Sequence, residues 1–220
     1  MRNQSTPVAM EGLPFIAGFA GGALFLYLLA EKLQSVTLTI LSAVALFLAA
    51  FSIYFFRNPH RTVPAVDGAV ISPADGVVIY LGDAVEEHLG EQMTKISIFM
   101  SVFSVHINRA PISGKILDNF YVNGKFLDVR DERATFENER NGLVVETAKG
   151  LKIVVVQVAG LIARRIVCYP VVGQMMIQGQ RYGLIRFGSR LDVYMPKESV
   201  VKVQMGQKTV AGETILGILP

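Results

Sequence analysis

Two stretches near the N-terminus carry no charged side chain: Gly12–Ala30 and Leu33–Phe56. Each approaches or exceeds the roughly 20 apolar residues that cross a bilayer core as a helix. Only Glu31 and Lys32 separate them, which leaves room for a tight hairpin and little else. A secretory signal peptide followed by one buried helix is the competing reading. It fits less well, because a single Arg2 precedes the first run and that run is long for a signal sequence. The expectation is a two-helix membrane hairpin over residues 1–56, with spans at about 12–30 and 35–56. Gly18 and Gly22 have the spacing that lets two helices approach closely. Arg57 and Arg61 follow the second span and Arg2 precedes the first, while Lys32 alone marks the turn. The positive-inside tendency puts both termini, and residues 57–220, on the cytoplasmic side of the cell membrane.

Discarding the hairpin removes Arg2, Lys32, Glu11 and Glu31, two charges of each sign, so the formal net charge of +3 stays with the remainder. That is too mild to argue for nucleic acid, and it suits an anionic membrane surface. Cys168 is the single cysteine, which excludes an internal disulfide and a multi-cysteine metal site.

The remainder reads as β. "GAVISPADGVVIYLG" holds two Val/Ile-rich pieces punctuated by Asp67-Gly68 and Asp75-Gly76, both turn signals. "KISIFMSVFSVHI" is a β-branched and aromatic run, and "GLVVETAKGLKIVVVQVAG" is a hairpin candidate around Ala148–Gly150. "DAVEEHLG" is the one helical candidate, and the charged segment Asp128–Gly142 reads as a surface loop. "VKVQMGQKTVAGETILGIL" is similar to the hammerhead half of lipoyl domains, although no lysine stands in a Met-Lys-Met context. The fold class expected is mainly β, an antiparallel barrel or sandwich with lipoyl-like features, behind the membrane hairpin.

Chemistry has few carriers. His60 lies in a basic, solvated cluster and His88 beside two glutamates. His106 ends an apolar run just before a proline-containing break, where it is either a hydrogen-bonded core residue or a base. No paired His or His/acid spacing supports a metal site. Asp75 and Asp67 each stand before a glycine, as turn residues do. "RFGSRLDVYMP" is strand-like, yet Gly188 and Ser189 interrupt it, and "GSR" is not the elbow of the serine hydrolases. Arg164 and Arg165 are a vicinal pair in apolar surroundings, either an exposed edge or a clamp for phosphate or carboxylate. Phe187, Tyr194 and Met195 read as core.

Taken together, "FFRNPHR", "SPADGVV", "VHINRAP", "VQVAGLIARRIVC" and "FGSRLDVYMP" resemble, in order and over roughly residues 55–220, the short prokaryotic phosphatidylserine decarboxylases. The resemblance implies that the Gly188–Ser189 bond cleaves itself. Ser189 would attack the Gly188 carbonyl, and β-elimination and loss of ammonia would turn residue 189 into a covalent pyruvoyl cofactor. A β chain, 1–188, and an α chain, 189–220, would remain together. It further implies His106 as the base that activates Ser189, and Asp75 as the residue orienting the imidazole. The pyruvoyl carbonyl would form a Schiff base with the amine of phosphatidylserine in the membrane, and loss of CO₂ would give phosphatidylethanolamine. Longer relatives have a second histidine where Arg109 stands, so that histidine's role does not carry over. Two other readings stay open: a membrane-anchored lipoyl-like adaptor without activity, and the same chemistry on an archaeal ether-linked serine lipid. A homo-oligomer stays open as well.

Overall fold

The structure, a computed structural model, describes residues 4–131, 133–161, 165–186 and 188–220. It divides into a helical unit, Ser5–Pro59, and a β unit formed by His60–Pro220 with Gln4.

In the helical unit a single 3-10 turn, Met10–Gly12, leads into α1 (Leu13–Leu33), followed by α2 (Val36–Phe55). Pro14 sits in the first turn of α1, where no backbone N–H is needed. Gln34 takes a left-handed conformation (φ 50°) and its N–H bonds the Ala30 carbonyl, ending the helix. Ser35 caps α2. Glu31 and Lys32 therefore belong to the last turn of α1, and Gln34 and Ser35 make the reversal. The close helix contact also differs from expectation. It is built on buried Ala23, Ala30, Ser42 and Ala49, and Ser42 Oγ donates to the Ala23 carbonyl at 2.8 Å. Gly18 and Gly22 are not part of it, since a Cβ on either would meet nothing within 4 Å. Both helices are long and apolar enough to cross a membrane. Leu24, Phe25, Leu28, Leu46 and Phe47 on their outer faces are each at least 59% exposed, a surface that water disfavours and lipid does not.

In the β unit the described strands all pair antiparallel, with one isolated parallel bridge between Lys125 and Asn138. Its large sheet has eight strands, in the order β13 (Lys208–Thr209), β2 (Gly76–Glu86), β3 (Glu91–Met100), β11 (Ser189–Pro196), β7 (Lys152–Ala159), β6 (Arg140–Glu146), β5 (Gly114–Val122) and β9 (Met175–Met176). It curls into a half-barrel. One small sheet joins β4 (Ile107–Arg109), β10 (Arg181–Ile185) and β8 (Ile166–Cys168). The other joins β1 (Ala69–Ile71), β14 (Ile215–Ile218) and β12 (Val200–Val201). Side-chain alternation sends Ile96, Ile98, Leu143, Val145, Ile153, Val155, Leu191 and Val193 to one face of the large sheet. Val144, Val154, Val156, Val158 and Tyr194 pack on the other. Both faces are covered, which is why "KIVVVQVA" reads as an unbroken apolar run. The hairpin expected around Ala148–Gly150 joins β6 to β7.

Two segments differ from their sequence reading. "DAVEEHLG" is the end of β2 and the turn into β3, where Glu86 Oε2 accepts from the Leu89 amide and the cross-strand pairs outcompete a helix. The charged segment 128–142 is not merely a surface loop. It carries a short helix, α3 (Ala134–Glu137), and buries Val129, Ala134 and Asn138. Asn138 supplies the reason: its amide donates to the Leu127 and Ala159 carbonyls and its Oδ1 accepts from the Leu127 amide.

Candidate active site

"RFGSRLDVYMP" is not one strand. β10 ends at Ile185 in a small sheet, and β11 begins at Ser189 in the centre of the large one. Gly188 makes the joint with φ +69°, in the region that L side chains avoid. A Cβ there would meet nothing within 4 Å, so the backbone angle, not space, calls for glycine. Ser189 is wholly buried, paired with Met100 on one side and Ala159 on the other. Its hydroxyl has no hydrogen-bond partner among the described residues. An unsatisfied buried hydroxyl costs about 1–3 kcal/mol, which makes its retention here informative. Beside the joint lies a cavity of about 300 Å³ whose lining includes Phe99, Val102, Gly160, Leu161 and Gly188. Phe187 lies outside the described residues.

His106 immediately precedes β4 and is 2% exposed. Its Nδ1 lies 2.9 Å from the Ser104 carbonyl. A carbonyl only accepts, so Nδ1 carries the proton and the buried Nε2 is the basic nitrogen of the neutral ring. Leu184 pairs with Ile107. Ile107, the residue after His106, thus lies one residue from the end of β10 that leads to the Gly188 joint.

Asp75 precedes β2. Its Oδ2 forms an ion pair with Arg61 at 2.8 Å, and its Oδ1 accepts from the Ala211 amide at 2.7 Å. Arg61, read from sequence as part of a membrane-proximal basic cluster, is thus held by a carboxylate of the β unit. The Pro73 carbonyl accepts from the Arg109 amide, which draws the Asp75 segment against β4. Arg109 is 7% exposed and donates to the Gly179 carbonyl at 2.9 Å. Burial, with Arg181 and Arg61 nearby, brings its guanidinium down to about 10.

Ser189 opens β11, His106 immediately precedes β4 and Asp75 immediately precedes β2. Among the described residues no hydrogen bond joins Ser189 to His106 or His106 to Asp75. Arg164 lies outside the described residues. Arg165 is exposed, and its carbonyl accepts from the Arg186 amide at 3.2 Å, so its backbone runs alongside the approach to Gly188. Tyr194 and Met195 are core, as expected. His88, in the turn between β2 and β3, pairs with Asp118 at 2.7 Å and stacks on Phe120, beyond the opposite end of β3 from the Met100–Ser189 pair.

Sequence reasoning missed a buried network on β11. Arg190 grips Asp192 through Nε and Nη2, Lys95 approaches Asp192 at 3.3 Å, and Arg190 also donates to the Val129 carbonyl and to Thr135 Oγ1. Burial pushes the Asp192 carboxyl up, but Arg190 and Lys95 outweigh it and hold the group below its ordinary range. The signal was present in "SRLD", where two charges sit in an otherwise apolar strand.

Residues 48–217 match the family described as phosphatidylserine decarboxylase. Curated relatives named phosphatidylserine decarboxylase proenzyme include those of Geobacter metallireducens and Geotalea uraniireducens, each 66% identical over 220 residues. That of Geobacter sulfurreducens is 63% identical over 220 residues. In all three the alignment covers 100% of both chains.

Proposed function

The chain belongs to the phosphatidylserine decarboxylase family, and from that premise we propose that it converts phosphatidylserine to phosphatidylethanolamine and CO₂ through a pyruvoyl group made from its own Ser189. The observation that carries the reading is the Gly188–Ser189 joint: a left-handed glycine before a buried serine whose hydroxyl is unused among the described residues. The word proenzyme in the relatives' names supports it.

Self-cleavage starts at Ser189 Oγ. His106 Nε2 takes the hydroxyl proton as Oγ bonds to the Gly188 carbonyl carbon. The C–N bond then breaks, the proton passes to the freed amine, and an ester joins Gly188 to the Ser189 side chain. Removal of the residue 189 α-proton breaks the Cβ–O bond, releasing Gly188 as a carboxylate and leaving an enamine. Its imine tautomer takes up water and loses ammonia. Burial of Ser189 favours the internal acyl shift over attack by bulk water. Once formed, the pyruvoyl group supplies an electrophilic carbonyl for the substrate amine and an electron sink for the bond to CO₂.

The surrounding residues fit that group. Ser104 holds the His106 tautomer, so Nε2 serves as base in cleavage and as proton donor to the substrate α-carbon afterwards. Asp75 acts behind them, holding Arg61 and the Ala211 amide against the β4 segment. Arg164 and Arg165 are assigned to the phosphate or carboxylate of the lipid. Chain 189–220 stays bound after cleavage, because β11 is hydrogen-bonded between β3 and β7. The helical hairpin holds the enzyme in the cytoplasmic membrane, with the β unit on the cytoplasmic side, where the acyl chains need not leave the bilayer.

The test is full-length protein in mixed micelles containing phosphatidylserine. Phosphatidylethanolamine and CO₂ should appear in equal amounts, and Ser189→Ala should yield neither. Turnover by Ser189→Ala would refute the assignment of Ser189.

A further inference from the structure

Two glycines meet at the proposed cleavage point, and they are glycines for different reasons. Gly188 has open space at its Cβ position and a left-handed φ. Gly160, just after β7, has no positive φ. What it lacks is room. A Cβ on Gly160 would stand 2.4 Å from the Gly188 carbonyl oxygen, 3.1 Å from its carbon and 3.2 Å from Val129 Cγ1. The atom occupying the space a side chain would fill is the oxygen of the bond that Ser189 is proposed to attack.

We propose that Gly160 is a positioning residue for self-cleavage: its missing side chain is the seat of the Gly188 carbonyl. The inference rests on the reading of Ser189 as the nucleophile. The backbone that presents Gly160 is fixed. The Ala159 amide donates to the Glu139 carbonyl at 2.9 Å, and the Ala159 carbonyl accepts from the buried Asn138 amide at 2.8 Å. Ala159 also pairs with Ser189 across the sheet. The strand end is therefore held on both sides, and an added methyl displaces the carbonyl rather than the strand. Reaching even a 3.0 Å contact from 2.4 Å requires a shift of at least 0.6 Å. Attack on a carbonyl depends on the nucleophile's distance and angle, and a misplacement of about 1 Å costs on the order of 100-fold. Once the bond is broken the constraint has no further role, because Gly188 is then a free chain end. Gly160 therefore governs maturation and not turnover.

The test is Gly160→Ala in the full-length chain, made by pulse synthesis into micelles and followed by gel for cleavage. Decarboxylation is then measured per mole of cleaved chain. Cleavage should slow by roughly 10- to 100-fold, while turnover per cleaved chain stays within about threefold of wild type, as expected for a group that acts only on the scissile geometry. Val129→Ala separates the two close neighbours: the Gly160→Ala effect should be the same in the Val129→Ala background as in wild type. Restored cleavage in the double variant would trace the fault to Val129 packing and overturn the proposal. Cleavage of Gly160→Ala at the wild-type rate would also overturn it, as would turnover falling in step with cleavage. So would failure of both single and double variants to fold, since a displacement confined to one carbonyl leaves the sheet intact. Ser189→Ala, run alongside, isolates the premise: if that variant is cleaved the nucleophile assignment fails, and if it is blocked while Gly160→Ala is not, only this inference fails.

Discussion

Asp192→Asn probes how the strand that begins at Ser189 is held. In the native protein the Asp192 side chain is 1% exposed and faces Arg190, 4% exposed, and Lys95, 8% exposed. Arg190 Nε and Nη2 reach the two carboxylate oxygens at 2.8 and 2.9 Å. Asparagine keeps the shape but removes the carboxylate charge that faces the two buried cations. Breaking one partner out of a buried pair costs about 3–5 kcal/mol. At about 2–4 °C per kcal/mol for a chain of this size, the melting temperature should fall by roughly 6–20 °C. The assay is thermal melting in micelles in the Ser189→Ala background, so that cleavage does not alter the species measured. The deficit should also depend on pH. The native Asp192 pKa lies below its ordinary 3.8, so its contribution is complete above that value and disappears as pH falls through the native pKa. The gap between Asp192→Asn and its parent should therefore narrow in acid below about pH 4. A loss of less than about 1 kcal/mol at neutral pH, or a gap that widens in acid, would refute this account of the network.

Asp75→Asn should lower stability by about 1–2 kcal/mol, because the Arg61 partner is lost while Oδ1 can still accept from Ala211, and it should slow maturation without unfolding the β unit; melting and pulse–chase read the two effects separately. His106→Ala should accumulate uncleaved precursor, and wild-type maturation should slow in acid because imidazolium cannot accept the Ser189 proton; a pulse of newly made chain resolved by gel at several pH values checks both. Alanine at Arg164 or Arg165 should reduce kcat/KM by roughly 10- to 150-fold, the value of one charge-assisted hydrogen bond, with little effect on cleavage; steady-state assays on fully cleaved protein test it.

Local features of the chain made much of this protein legible. Two charge-free runs specify the helical hairpin, and the ends moved by only a few residues because Glu31 and Lys32 can finish a helix as well as start a loop. Turn residues and β-branched runs marked most strands. What stayed hidden depends on approach between distant segments. "RFGSRLDVYMP" has the composition of one strand, and only the change of sheet at Gly188 divides it. "DAVEEHLG" has helical residues, but nine registered cross-strand positions between β2 and β3 decide its conformation. Gly18 and Gly22 have a packing spacing, yet Ser42 and Ala23 make the contact. Asp75 looked like a turn residue, and its partners Arg61 and Ala211 become visible only once β1, β2 and the C-terminal segment are assembled. Gly160 has no local signature, since its reason lies across the sheet at Gly188.

Residue 189 is assigned here as both the point of cleavage and the source of the catalytic carbonyl. Intact-mass measurement of purified wild-type protein tests that assignment most directly. Two chains are expected: one with the encoded mass of residues 1–188, and one with that of residues 189–220 less a single ammonia. A single chain of the full encoded mass would contradict it, and so would a short chain that keeps an unmodified N-terminal serine.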